Sequence, residues 1–398
     1  MKLTPLEIYV TQRFQVSCNI VISKSKLMQL AHEDNLRLNV LFAQAVQAIR
    51  INEGTMTLHA LTAKGEAKIK LNPTVRDEQY LRWIREWLSL KVTGSPGGYP
   101  VFLQRWTRTG HAHNNLEHML LLGEPEAVVA VVHSPDLSHE IASRAWWAYP
   151  SADTARRLLE KSAVAQGTLG KELAAYLLEF LPFEEVALDV VDTVRLCLQG
   201  ELISPAEREQ LWNRAKRKNP FYVGFLHTEA KHIPLPNAAH PQAETIDAAL
   251  QNALGANNPF ANALHHTLSA DGQKWLQTLL LALEKPTDQD VVISLFRAIQ
   301  KRFNLPFAEV RGVEITIALQ RAKDYCQGIN THAELQTVLD ALPNEHHVYL
   351  QNLLMLAHLG EDSLNTVFGG SDAVGSVMRK HLEPLTKPIQ SAAQQLLN

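Results

Sequence analysis

Only three cysteines occur in 398 residues, Cys18, Cys197 and Cys326, and no two lie close enough to form a CxxC pair. That spacing excludes a zinc knuckle and the thiolate sets that hold iron–sulfur clusters. Buried, reduced thiols in a reducing compartment are the expectation. An excess of one charge is lacking too, since 38 Lys and Arg against 41 Asp and Glu leave a net charge of −3. No global field steers such a chain onto nucleic acid or an anionic membrane, so any charged partner must be met locally. No apolar run reaches the length of a membrane span, and Glu7, Gln12, Arg13 and Gln15 interrupt the segment that a secretory leader would need. A cytoplasmic chain with no membrane insertion is expected. GxSxG, HExxH and a Lys-Ser/Thr phosphate loop are missing as well, so no cofactor is expected and no catalytic residue can be named.

What the chain does carry is helix punctuation. Thr4-Pro5-Leu6-Glu7 reads as a capping box with Pro at the first helical position, so a helix should start there. Another is expected from about Asn35 to Ile49, where Leu38, Leu41, Ala45 and Ile49 share one face. Alternating apolar and polar residues over 55–61 and 66–71 predict a β-hairpin in which Gly65 supplies positive φ. Helical spacing returns at 77–91, with Leu81, Ile84 and Leu88 inward, and the glycine- and proline-rich stretch 95–100 breaks it. Short amphipathic segments then follow one another across breaks such as Pro150-Ser151, Gly167 and Ser204-Pro205. Ser204-Pro205-Ala206-Glu207 repeats the capping-box signature, and Thr331-His332-Ala333-Glu334 does so again. Short helices that cannot bury their faces alone must stack on their neighbours. The expected fold class is mainly α, with a small N-terminal α+β region carrying a β-hairpin, followed by an irregular HEAT-like array of antiparallel helices. The chain is expected to divide into an α+β domain over 1–110, a helical-array domain over 111–226, a linker over 227–243 and a C-terminal helical domain over 244–398.

Two patches could meet a partner. Arg82, Arg85, Arg105 and Arg108 interleave with Trp83, Trp87 and Trp106, which suits stacking on nucleobases or anchoring a protein. The same composition arises when indoles fill a core and guanidiniums reach back to water. The run Lys216-Arg217-Lys218, followed by Phe221 and Tyr222, is the second patch, although cations at a helix C-terminus complement its dipole without any ligand. Arg82, Arg85, Arg105, Trp106, Arg108, Lys216, Arg217, Lys218 and Tyr222 are the candidate interaction surface. His111, His113 and His118, beside Glu117, make the densest imidazole cluster, but their spacing matches surface histidines better than a metal site. The doublets His265-His266 and His346-His347 cannot each face one site, because helix neighbours point about 100° apart. The stretch 95–100 lacks the preceding strand and following Lys of a phosphate cradle.

Four segments carry a family resemblance: RDEQYLRWIREWLSLKVTGSPGGYPVFLQRWTRTGH (76–111), LLLGEPEAVVAVVHSP (120–135), RAWWAYP (144–150) and KRKNPFYVGFL (216–226). They resemble the DsrS family, cytoplasmic accessory proteins encoded with the dissimilatory sulfite reductase machinery of sulfur-oxidising bacteria. The resemblance is strongest over roughly residues 35–226 and weaker beyond. It implies stored-sulfur oxidation in a reduced cytoplasm and a supporting or regulatory role, with no assigned reaction to carry over. The expected function is therefore a non-catalytic interaction or regulatory accessory protein with a protein partner in the sulfur-oxidation machinery. Two alternatives stand beside it: an unfamiliar enzyme or sulfur carrier using a cysteine persulfide or histidine-bound metal, and an RNA-binding regulator whose partner is nucleic acid.

Overall fold

The computed structural model describes residues 30–94, 116–135, 137–307, 310–329, 332–368 and 375–398. The Thr4 capping box, Cys18, the 95–100 turn, Arg105, Trp106, Arg108, His111, His113 and Thr331 lie outside the described residues. The fold is mainly α, with one small sheet near the N-terminal end and many packed antiparallel helices. Contacts divide it into two compact units, Met1–Leu169 and Gly170–Asn398.

In the first unit, strands β1 (Val46–Asn52), β2 (Thr57–Thr62) and β3 (Gly65–Lys70) form an antiparallel sheet in that order. The β2–β3 hairpin is the one that alternation predicts. Thr62 sits opposite Gly65, Gly65 takes φ +115°, and the Thr62 hydroxyl donates to the Gly65 carbonyl at 2.8 Å. Strand β1 corrects the expected helix from Asn35 to Ile49: the helix is His32–Phe42, and Ala45 and Ile49 lie beyond it. Their spacing suits a helix face equally well, but Val46, Ile49 and Ile51 are β-branched and stiff at χ1. Pairing of Ile49 with Ala60 and of Ile51 with Leu58 gives that stretch a sheet edge to complete.

Leu38 and Leu41 of the first helix, Ile49, Leu58 and Ala60 of the sheet, and Tyr80, Ile84 and Leu88 of helix Asp77–Thr93 close one core. A buried carboxylate sits inside it. Asp34 accepts from the Tyr80 hydroxyl at 2.5 Å and from the Asn72 amide at 2.7 Å, while the Tyr80 oxygen accepts from the Ala31 amide at 3.1 Å. Burial and the hydrogen bond to Asp34 push the Tyr80 hydroxyl well above the ordinary phenol range. Asp34→Ala strands both donors, and urea unfolding of this unit should find it less stable by about 2 kcal/mol. Beyond the sheet, helices His139–Ala148 and Ala152–Leu159 are capped by Ser138 and Ser151, whose hydroxyls each accept from a first-turn amide at 3.2 Å.

The second unit is the helical array. Ala187–Cys197 packs on Pro220–Leu226, which packs in turn on Ala270–Glu284. Ile315–Cys326 packs on His347–Ala357, and Gly375–Gln395 lies against both His347–Ala357 and Ala270–Glu284. Every residue of PFYVGFL in Pro220–Leu226 is buried, as a helix apolar on all sides must be. The Ser204 capping box forms as read, with the Ser204 hydroxyl accepting from the Glu207 amide at 3.3 Å and the Glu207 carboxylate from the Ser204 amide at 2.7 Å. Helix Ala333–Ala341 has His332 at its N-cap with no side-chain cap bond. The proline-rich stretch 227–243 has little regular structure, yet Ala230, His232, Ile233 and His240 are buried and the His240 amide donates to the Leu268 carbonyl at 2.9 Å. No helix among the described residues is long and apolar enough to cross a membrane.

Candidate functional site

The described tryptophans of the first unit are spent on packing. Trp83 and Trp87 are half-buried against the core, with Trp87 edge-on to Phe42 at 5.4 Å. Trp146 is buried, and the Arg50 guanidinium lies 4.6 Å over the Trp147 ring. Arg82 and Arg85 line a surface cavity of about 430 Å³ with Glu53, Glu78, Glu86 and Glu124, and Arg85 is paired with Glu53. Four carboxylates against two guanidiniums leave that wall net negative, the wrong sign for a phosphate backbone.

The described thiols are poorly placed for nucleophilic chemistry. Cys197 is fully buried, its Sγ 3.8 Å from the Ala174 carbonyl, and burial pushes the thiol up to about 12. Burial likewise raises half-buried Cys326 to about 11. A persulfide carrier needs a thiolate that a sulfane donor can reach. The histidine doublets split as helix geometry requires: His265 is half-buried on Asp247 at 2.9 Å and His266 is exposed, whereas His346 is buried and His347 donates to the Leu342 carbonyl at 2.9 Å. Among the described residues no three His, Cys, Asp or Glu side chains are grouped to hold a metal ion.

One imidazole–hydroxyl pair has no counterpart in the sequence reading. His227 Nε2 lies 2.9 Å from both the Ser294 carbonyl oxygen and the Ser294 Oγ. A carbonyl only accepts, so the proton sits on Nε2 and the serine oxygen receives a hydrogen bond instead of giving up a proton. The pair is a structural tie and not an activated nucleophile. Burial, with Arg195 adding to it, depresses His227 to about 4. His240 is also pushed down by burial, then by His346, and its Nδ1 accepts from the Gln242 amide at 3.1 Å. Each imidazole is thus held neutral in the fold and gains a proton more easily once unfolded. For His227 the stabilising effect is complete above the unfolded value near 6.5 and is lost as pH falls from there toward 4, and His240 acts in the same direction. Thermal melts should therefore show the second unit losing stability across that window, and His227→Gln should flatten part of the decline.

The second basic patch has a built setting. Helix Pro205–Ala215 ends at Lys216, and the chain turns through Asn219 into Pro220–Leu226, with Pro at the first helical position. The Asn219 amide nitrogen donates to the Ala282 carbonyl at 2.8 Å, which fixes this turn against the end of helix Ala270–Glu284. Between them and the segment 184–190 opens a cleft of about 410 Å³. Lys216, Arg217, Lys218 and Lys285 line it and are exposed, and Glu184, Glu185 and Glu284 also line it. Tyr222 is buried, edge-on to Trp212 at 5.2 Å, and its hydroxyl is raised by burial and by Glu284. Next to the lining glutamates stand two exposed apolar residues, Phe183 at 77% and Val186 at 56%.

The structure thus brings Lys216, Arg217, Lys218 and Tyr222 into one cleft, whereas Arg82 and Arg85 belong to the other unit. Sequence reasoning missed Glu184, Glu185, Glu284 and Lys285, which come from segments with no motif of their own. Comparison with known protein families, with curated proteins and with solved structures found no match.

Proposed function

We propose that the chain is a non-catalytic interaction or regulatory accessory protein of bacterial sulfur oxidation, acting in the cytoplasm through the cleft beside Lys216, Arg217 and Lys218. The observation that carries this reading is the cleft itself, which exposed cations line and beside which Phe183 and Val186, flanking its glutamates in the chain, are exposed. Aromatic anchors and charged rims are the usual makings of a protein interface. The sulfur-oxidation setting rests on the resemblance of 76–111, 120–135, 144–150 and 216–226 to the DsrS family. A sulfur-carrier role at Cys197 or Cys326 finds less support, because burial holds both protonated. RNA binding finds less support as well, since carboxylates surround Arg82 and Arg85. Affinity capture with the full chain from cells oxidising stored sulfur should recover a component of that machinery in stoichiometric amounts. Recovery of no specific partner would contradict the reading.

A further inference from the structure

The cleft of the second unit is lined by both charges, carried on different segments, and that restricts what can fill it. Lys216, Arg217 and Lys218 follow one another at the end of a helix, all exposed, and Lys285 joins them from the end of helix Ala270–Glu284. Among the described residues the Lys216 ammonium donates to Asn213 Oδ1 at 2.9 Å, a neutral acceptor that leaves its charge in place. Glu184 and Glu185 enter the same cleft from the segment that precedes helix Ala187–Cys197. Phe183 and Val186 flank those two glutamates in the chain, and a residue is only about 3.8 Å from its neighbour at Cα. The acidic edge is therefore also the apolar edge. Asn219 holds the turn in place: its side-chain nitrogen donates to the Ala282 carbonyl at 2.8 Å, and its Oδ1 is buried.

A uniformly charged polyanion fits this arrangement badly, because phosphates drawn to Lys216, Arg217 and Lys218 would also face Glu184, Glu185 and Glu284. A peptide fits it better. Its carboxylates can lie along the Lys216–Lys218 run, and its apolar side chains can cover Phe183 and Val186. Building on the interaction reading above, we infer that this cleft docks an acidic peptide segment of a partner protein, one that carries aliphatic or aromatic residues among its Asp and Glu.

Selection of a random peptide library displayed on phage, against the purified full-length chain, tests this without knowledge of the partner. Retained sequences should be enriched in Asp and Glu together with Leu, Phe or other large apolar residues. A selected peptide, labelled and titrated by fluorescence anisotropy at low salt, should bind the double variant Arg217→Glu/Lys218→Glu at least about tenfold more weakly. Phe183→Ser, at an exposed position where folding is indifferent, should weaken it separately through the apolar edge. The inference is overturned if no acidic peptide is selected, if the double variant binds as tightly as the parent, or if oligouridylate displaces the peptide and binds more tightly itself. A partner captured from cells that still binds the double variant would remove this cleft from the interaction while leaving the interaction reading in place.

Discussion

Gly272→Ala should destabilise the second unit by about 4 kcal/mol, against the ordinary direction of a glycine-to-alanine change within a helix. Alanine is normally the better helix former by about 1 kcal/mol. At Gly272, however, helix Ala270–Glu284 begins so close to the end of Pro259–Leu268 that an added Cβ would collide with the carbonyl oxygens of His266 and Thr267. Backbone cannot swing aside as a side chain does, so the two helices must separate or the first turn must unwind. That turn is held by the Ser269 hydroxyl, which accepts from the Gly272 amide, and by Gln273, whose amide donates to the Thr267 and Leu396 carbonyls at 3.1 and 3.0 Å. The change would strain the attachment of the C-terminal helix as well. Gly255→Ala is the matched control, because a Cβ there meets nothing within 4 Å. Urea unfolding of both variants should separate them by several kcal/mol, with the control near or slightly above the parent.

Arg311→Ala should cost about 3 kcal/mol, and Arg311→Lys should recover little of it. The Arg311 guanidinium donates to the Ala357 carbonyl at 2.8 Å, to the Gln300 and Phe303 carbonyls at 2.9 Å each, and to Asn304 Oδ1 at 2.8 Å. Three of these acceptors are at or near the ends of helices Gln289–Arg302 and His347–Ala357, where carbonyls have no partner within the helix. One planar cation therefore caps two helices at once and sits at the negative end of both dipoles. The neighbouring Gly312 and Val313 amides donate to the His358 carbonyl at 2.8 and 3.3 Å, which holds the loop in register. An ammonium has its donors on one atom and cannot span acceptors spread across two helix ends. Equal stability of the lysine variant and the parent would refute this capping role.

The elements legible in the sequence were those set by short-range rules. The hairpin needed only alternation and a glycine at the turn, the Ser204 helix needed a capping box, and helix Asp77–Thr93 needed an apolar face at Leu81, Ile84 and Leu88. Strand β1 was hidden because its side-chain spacing serves two periodicities, and only its partner strand chooses between them. Long-range ties were hidden altogether: Arg311 finds acceptors up to 46 residues away, and His227 meets Ser294 across 67. Of the candidate site, the basic run was visible as composition. The other lining segments, 184–190 and 281–287, were not, since ordinary glutamates and a lysine become a cleft only when separate helices converge. The inertness of Cys197 was equally invisible, because it follows from burial and not from spacing.

The central claim is that the Lys216–Lys218 cleft engages a protein of the sulfur-oxidation machinery. Its most direct test is photo-crosslinking inside cells oxidising stored sulfur, with Lys218→p-benzoylphenylalanine in the cleft and the same replacement at exposed Lys64, in the other unit, as reference. The account predicts a discrete adduct from position 218, identified by mass spectrometry as a sulfur-oxidation protein and absent from position 64. No adduct at 218, or the same adducts from both positions, would contradict it.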